Sequence, residues 1–79
     1  MIVEKGKLSP KFKGFKDSNT LIEFDKGGTW KQAVIKFKAN KTYMPNAVVT
    51  MRNNRYYIDV DGMGGEVMVT KPGSDNLLW

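Results

Sequence analysis

The sequence predicts a mainly β domain of five or six short strands curled into a small barrel. Three observations lead there. In "AVVTMRNNRYYIDV" two alternating apolar runs flank Asn53-Asn54, a dipeptide that tolerates the positive φ of a tight hairpin turn. A glycine-rich turn and a further apolar run follow at strand spacing, and Gly27-Gly28 offers a second hairpin upstream. The 79 residues contain no repeat, low-complexity tract or linker, so residues 1–79 read as one domain.

Taken in chain order, residues 1–8 and 10–16 read as one or two strands interrupted at Ser9-Pro10. Strict alternation would send Phe12 and Phe15 to opposite faces. A bulge at Gly14 turns both to one side, and a chain with few large apolar residues needs both in its core. In the Gly27-Gly28 hairpin, Ile22 is expected to face Ala33 and Thr20 to face Ile35, leaving Glu23, Asp25, Trp30 and Gln32 on the other side. "TWKQAVIKFKAN" also fits a helix, with Thr29 and Gln32 as a capping box and Trp30, Ala33, Val34 and Phe37 at helical spacing, so an α+β domain with residues 29–40 helical is the alternative.

After a loop through "NKTYMPN", the Asn53-Asn54 turn sets a register. Met51 faces Tyr56, Val49 faces Ile58 and Ala47 faces Val60 on an apolar side, where Met51 and Tyr56 are expected to be buried. Arg52 opposes Arg55, Thr50 opposes Tyr57 and Val48 opposes Asp59 on a solvent side. With Gly62–Gly65 as a four-residue loop, Val60 meets Val67, Ile58 meets Val69 and Met68 points outward beside Asp59. Met44 and Met63 read as gap fillers. The tail "KPGSDNLLW" ends on three apolar residues, and Trp79 is expected to close an open end of the barrel. Five or six short strands in so few residues suit an SH3-like or OB-like barrel.

Composition excludes much chemistry. Without cysteine or histidine there are no disulfides, no Ser-His or Cys-His nucleophile pairs and almost no transition-metal sites, and the lack of cysteine fits a reducing compartment. No apolar run exceeds three residues, so neither a signal sequence nor a membrane span is expected and the protein reads as cytoplasmic. "DVDGMGGE" gathers Asp59, Asp61 and Glu66 near one turn, but its spacing is not that of an EF-hand, and a domain this small lacks the depth for a hydrolytic carboxylate cleft. The expectation is a non-enzymatic protein without metal or cofactor.

The net charge of +5 is unevenly placed, because residues 31–57 hold four lysines and two arginines and no acid. Such a field attracts anionic partners. "PKFKGFKDS" poses the same question on a small scale: a strip that grips phosphates and stacks bases, or a strand with its phenylalanines inside. Arg52 and Arg55, opposed across the hairpin, repel each other without evident compensation. With Tyr57, Lys36 and Lys38 on outward positions, and Trp30, they compose a cationic surface with exposed rings, the makeup of a platform for single-stranded nucleic acid. The alternative is a protein-interaction or inhibitor domain that engages an acidic protein surface, or forms a homodimer through an unpaired edge strand.

Overall fold

Asn53 and Asn54 take φ of 51° and 65°, the paired left-handed values of a two-residue hairpin turn whose twist matches its strands. They join β6 (Asn46–Arg52) to β7 (Arg55–Val60) in a computed structural model that describes residues 1–72. Before this hairpin lie β1 (Ile2–Lys7), β2 (Gly14–Phe15), β3 (Leu21–Glu23), β4 (Thr29–Gln32) and β5 (Lys38–Ala39), and after it β8 (Glu66–Thr70). Six strands form one strongly curled antiparallel sheet in the order β1-β6-β7-β8-β4-β3, while β2 and β5 make a separate ribbon. The described residues contain no helix: Thr29–Gln32 is strand and residues 33–37 are irregular, so the helical alternative for 29–40 does not hold. The tail expectation for Leu77–Trp79 lies outside the described residues.

The β6–β7 register is the one its turn implies, from Arg52 opposite Arg55 to Ala47 opposite Val60. Burial along it differs in part. Met51, Tyr56 and Tyr57 are all half-buried. Tyr56 shares its cover with Trp30, ring centroids 4.9 Å apart, and Tyr57 is shielded by Arg52 and by Met68 opposite it on β8.

Two other registers differ from expectation. Between β7 and β8, Ile58 pairs with Val67 and Tyr56 with Val69, a slip of two residues. An even slip keeps every side chain on its face, and it draws Met63 out of the turn into the core, where it is 2% exposed. Between β3 and β4, Ile22 pairs with Trp30 instead of Ala33. That odd slip of three inverts the faces. Trp30 and Gln32 therefore point inward with Ile22 and Phe24, and Ile35 is left 84% exposed. This register brings the Trp30 indole and the Gln32 amide into the core in place of Ala33 and Ile35, with the polar groups of both hydrogen-bonded there.

The curled sheet closes at one point. Leu8 and Phe24, just beyond β1 and β3, form an isolated bridge, flanked by the Ser9 N–H donating to the Glu23 carbonyl (2.8 Å) and the Asp25 N–H donating to Lys7 (2.9 Å). Farther along β1 the sheet gapes, leaving a cleft of about 310 Å³ between Glu4–Lys7 and Phe24–Gly27. A bulge between Ile2 and Glu4 turns the Glu4 carboxylate toward that gap. There it accepts the Gly28 N–H at 2.6 Å and the Trp30 indole N–H at 2.7 Å. A Cβ on Gly27 would collide with the same carboxylate, which explains glycine at this position.

Glu4 thus serves as a strut between β1 and the β3–β4 hairpin. Glu4→Ala is expected to lower the unfolding free energy by about 1.5–3 kcal/mol, because charge-assisted bonds are lost and the Trp30 donor is stranded. Urea unfolding followed by tryptophan fluorescence measures it, and a loss below about 0.5 kcal/mol, the ordinary surface value, would contradict the strut.

Candidate nucleic-acid interface

The β2–β5 ribbon joins two lysine-rich segments that are distant in sequence. Gly14 pairs with Ala39 and Phe15 with Lys38, and the Asn40 N–H donates to the Lys13 carbonyl at 2.9 Å. Gly14 makes the pairing possible. Its φ is +126°, and a Cβ there would collide with the Lys38 carbonyl. The same residue lets Phe12 and Phe15 both turn inward, 7% and 1% exposed, in an edge-to-face pair with centroids 5.7 Å apart. The phenylalanines of "PKFKGFKDS" are therefore core, and its lysines are in water.

Gln32 holds this ribbon to the barrel. Its side chain is buried at 1% exposure; its oxygen accepts the Lys16 N–H (2.9 Å), and its amide nitrogen donates to the carbonyls of Val34 (2.7 Å) and Lys36 (3.1 Å). A loop with little sheet pairing of its own thereby has its carbonyls satisfied from inside. Beyond it, Phe37 stands 82% exposed, and after β5 Tyr43 stands 77% exposed.

The same two segments carry Lys11, Lys13, Lys16, Lys38 and Lys41, all exposed, and Lys36, half-buried with its ammonium 5.9 Å from the Phe15 ring centroid; Lys13 and Lys41 share a depression with Tyr43. Segments 10–16 and 33–45 contain six lysines and no carboxylate. Of the residues the sequence nominates, Lys36 and Lys38 belong to this lobe. Trp30 does not, because it is 3% exposed within the core with its indole N–H committed to Glu4.

Arg52, Arg55 and Tyr57 form a separate group on the outer face of the β6–β7 hairpin. Lys38 lies beside Gly64 in the turn that precedes Glu66, so the Arg52 guanidinium, paired with Glu66, reaches toward the Lys38 end of β7 while Arg55 stays at the Asn53-Asn54 turn. The repulsion between Arg52 and Arg55 has its compensation. Arg52 makes a bidentate pair with Glu66 (2.7 and 2.8 Å) and lies 4.3 Å from the Tyr57 ring centroid. Glu66 is thus turned to Arg52, and among the described residues no group of three or more acidic side chains is placed to hold a metal ion. Nor is any helix there long and apolar enough to cross a membrane.

Sequence reasoning missed Phe37, Tyr43 and the role of Gln32. Phe37 was assigned only to a helical face and Tyr43 only to a loop. The signal that does find the lobe is the absence of acid from both segments. No protein-family model, curated protein or solved structure matches this chain.

The Arg52 guanidinium, chiefly through its hydrogen bonds and then through its charge, holds the Glu66 carboxyl below the ordinary glutamate range. A depressed folded-state value means that the pair's small contribution to stability is present above the ordinary carboxylate range and fades as pH falls through the folded value. Carbon-detected titration of Glu66 is expected to give a midpoint below the ordinary range, returned to it by Arg52→Ala; an unchanged midpoint in the variant would contradict the assignment.

Proposed function

We propose that this chain is a non-enzymatic binding module for an anionic partner, single-stranded nucleic acid, with the β2–β5 lobe as its contact face. The observation that carries the reading is that the two segments joined by the β2–β5 ribbon carry six lysines, no acid and two solvent-exposed aromatic rings. Lysines supply counterion release along a phosphate chain, and exposed rings supply stacking that paired bases cannot reach. Duplex would receive the charge but not the stacking. Phe37 and Tyr43 are also hard to explain by stability, because rings more than three-quarters exposed bury little area.

A second reading is protein contact. Met1, Ile2 and Val3 are exposed in succession along β1, the edge strand of the sheet, which favours pairing with another strand, including that of a second copy. Sedimentation of the free protein separates the two, since a dimer at micromolar concentration favours the edge.

Salt-dependent titration against a single-stranded oligonucleotide tests the main reading. Each neutralised phosphate contributes a slope of about −0.7 in log affinity against log salt on single strands. Replacing Lys13 and Lys41 by alanine is expected to make the slope shallower by about 1.4 on the same rule. Replacing Arg52 and Arg55 is expected to change it far less, because Arg52 is already committed to Glu66. No binding at low salt, or a slope governed by the arginines alone, would overturn the assignment to this lobe.

A further inference from the structure

We infer that Tyr43 and the depression beside it form a subsite for one unpaired nucleobase, a step that rests on the nucleic-acid reading of the lobe. The depression, about 210 Å³, is walled by Pro10, Phe12, Asn40 and Tyr43 and rimmed by Lys13 and Lys41. That volume is below the roughly 300 Å³ at which pockets begin to hold drug-sized ligands, and it suits a single planar ring. Lys13 and Lys41 place positive charge where the phosphates on either side of an inserted base would run.

The tyrosine is held ready. Asn40 clamps the turn before it, its amide nitrogen donating to the Thr42 carbonyl (2.6 Å) and its oxygen accepting the Thr42 N–H (3.2 Å). After it, Met44 takes φ of 49°, a left-handed value that a side chain of this size adopts only when its surroundings enforce it. The enforcement is visible in Pro45, buried with its carbonyl accepting the Leu8 N–H at 2.9 Å. The backbone on both sides of Tyr43 is thus fixed, while its ring, largely in solvent, contributes little to the core. Strain such as that at Met44 accumulates where geometry serves binding.

The chemistry of the walls also sets the selectivity. Asn40 is the amide that would read a base edge, yet both ends of its side chain are used on Thr42. Stacking without edge-reading accepts any base, so the subsite distinguishes unpaired from paired bases and scarcely distinguishes one base from another.

The test uses the full chain and fluorescence anisotropy with two single strands of equal length and charge: oligothymidylate, and an oligomer carrying abasic sites in place of bases. The wild type is expected to bind oligothymidylate at least tenfold more tightly than the abasic strand, one stacked base being worth about tenfold. Tyr43→Ala is expected to bind oligothymidylate roughly tenfold more weakly than the wild type, with its affinity for the abasic strand and its salt slope unchanged, while Tyr43→Phe keeps the wild-type affinity. Tyr43 is exposed, so a thermal melt of Tyr43→Ala is expected to match the wild type. Equal wild-type affinity for both strands, or an undiminished affinity of Tyr43→Ala for oligothymidylate, overturns the base subsite and leaves the lobe assignment standing. Failure of the wild type to bind either strand at low salt overturns both.

Discussion

The buried amide of Gln32 decides how the β2–β5 lobe is attached to the barrel. Strand β4 carries it into the core, where an unpaired amide would cost about 1–3 kcal/mol for each stranded group. Its partners are Lys16, at the end of the first lysine segment, and Val34 and Lys36, at the start of the second. One side chain therefore sets the position of both segments that the β2–β5 ribbon joins. The consequence runs outward: with the carbonyls of Val34 and Lys36 drawn in, Phe37 is left in solvent while Lys38 enters the ribbon opposite Phe15.

The contacts that close the sheet lie apart from the lysine-rich lobe proposed for recognition. Closure is the work of the Leu8–Phe24 bridge and of Glu4, which ties the gaping part of β1 to the next hairpin through two short bonds. The core between them is built from Ile22, Phe24, Trp30, Val49, Ile58 and Val67, with Phe12 and Phe15 contributed by the lobe itself. On the β6–β7 hairpin Arg52 is shared between Glu66 and the Tyr57 ring. An exposed pair of that kind adds little stability, but it lowers the positive field on that face. The two segments of the β2–β5 lobe carry six lysines and no acid, a positive field that an anionic partner would neutralise.

What was legible in the sequence follows from how tightly each register is determined. Asn53-Asn54 fits one turn geometry, so β6 and β7 pair as their alternation implies. The loop through Gly62 to Gly65 allows several lengths, and parity alone preserved the faces of β8 while the register slipped by two. Gly27-Gly28 is not the centre of the turn, which spans Asp25 to Gly27 with the Phe24 N–H bonded to the Gly28 carbonyl, and the resulting odd slip of three exchanges inside for outside. That exchange removed Trp30 from the candidate surface and put Gln32 at its root. Lys36 and Lys38 were identified from charge, which needs no register. Phe37 and Tyr43 were not, because their exposure depends on an irregular loop and a strained Met44 that no periodicity encodes.

The proposed assignment of recognition to the β2–β5 lobe and not to the arginine hairpin is tested most directly by amide chemical-shift mapping of the nitrogen-15-labelled chain during titration with oligothymidylate. Perturbations are expected to be confined to residues 11–16 and 36–44, with Arg52, Arg55 and Tyr57 unmoved. Perturbations centred on Arg52 to Tyr57, with the lobe silent, would contradict it.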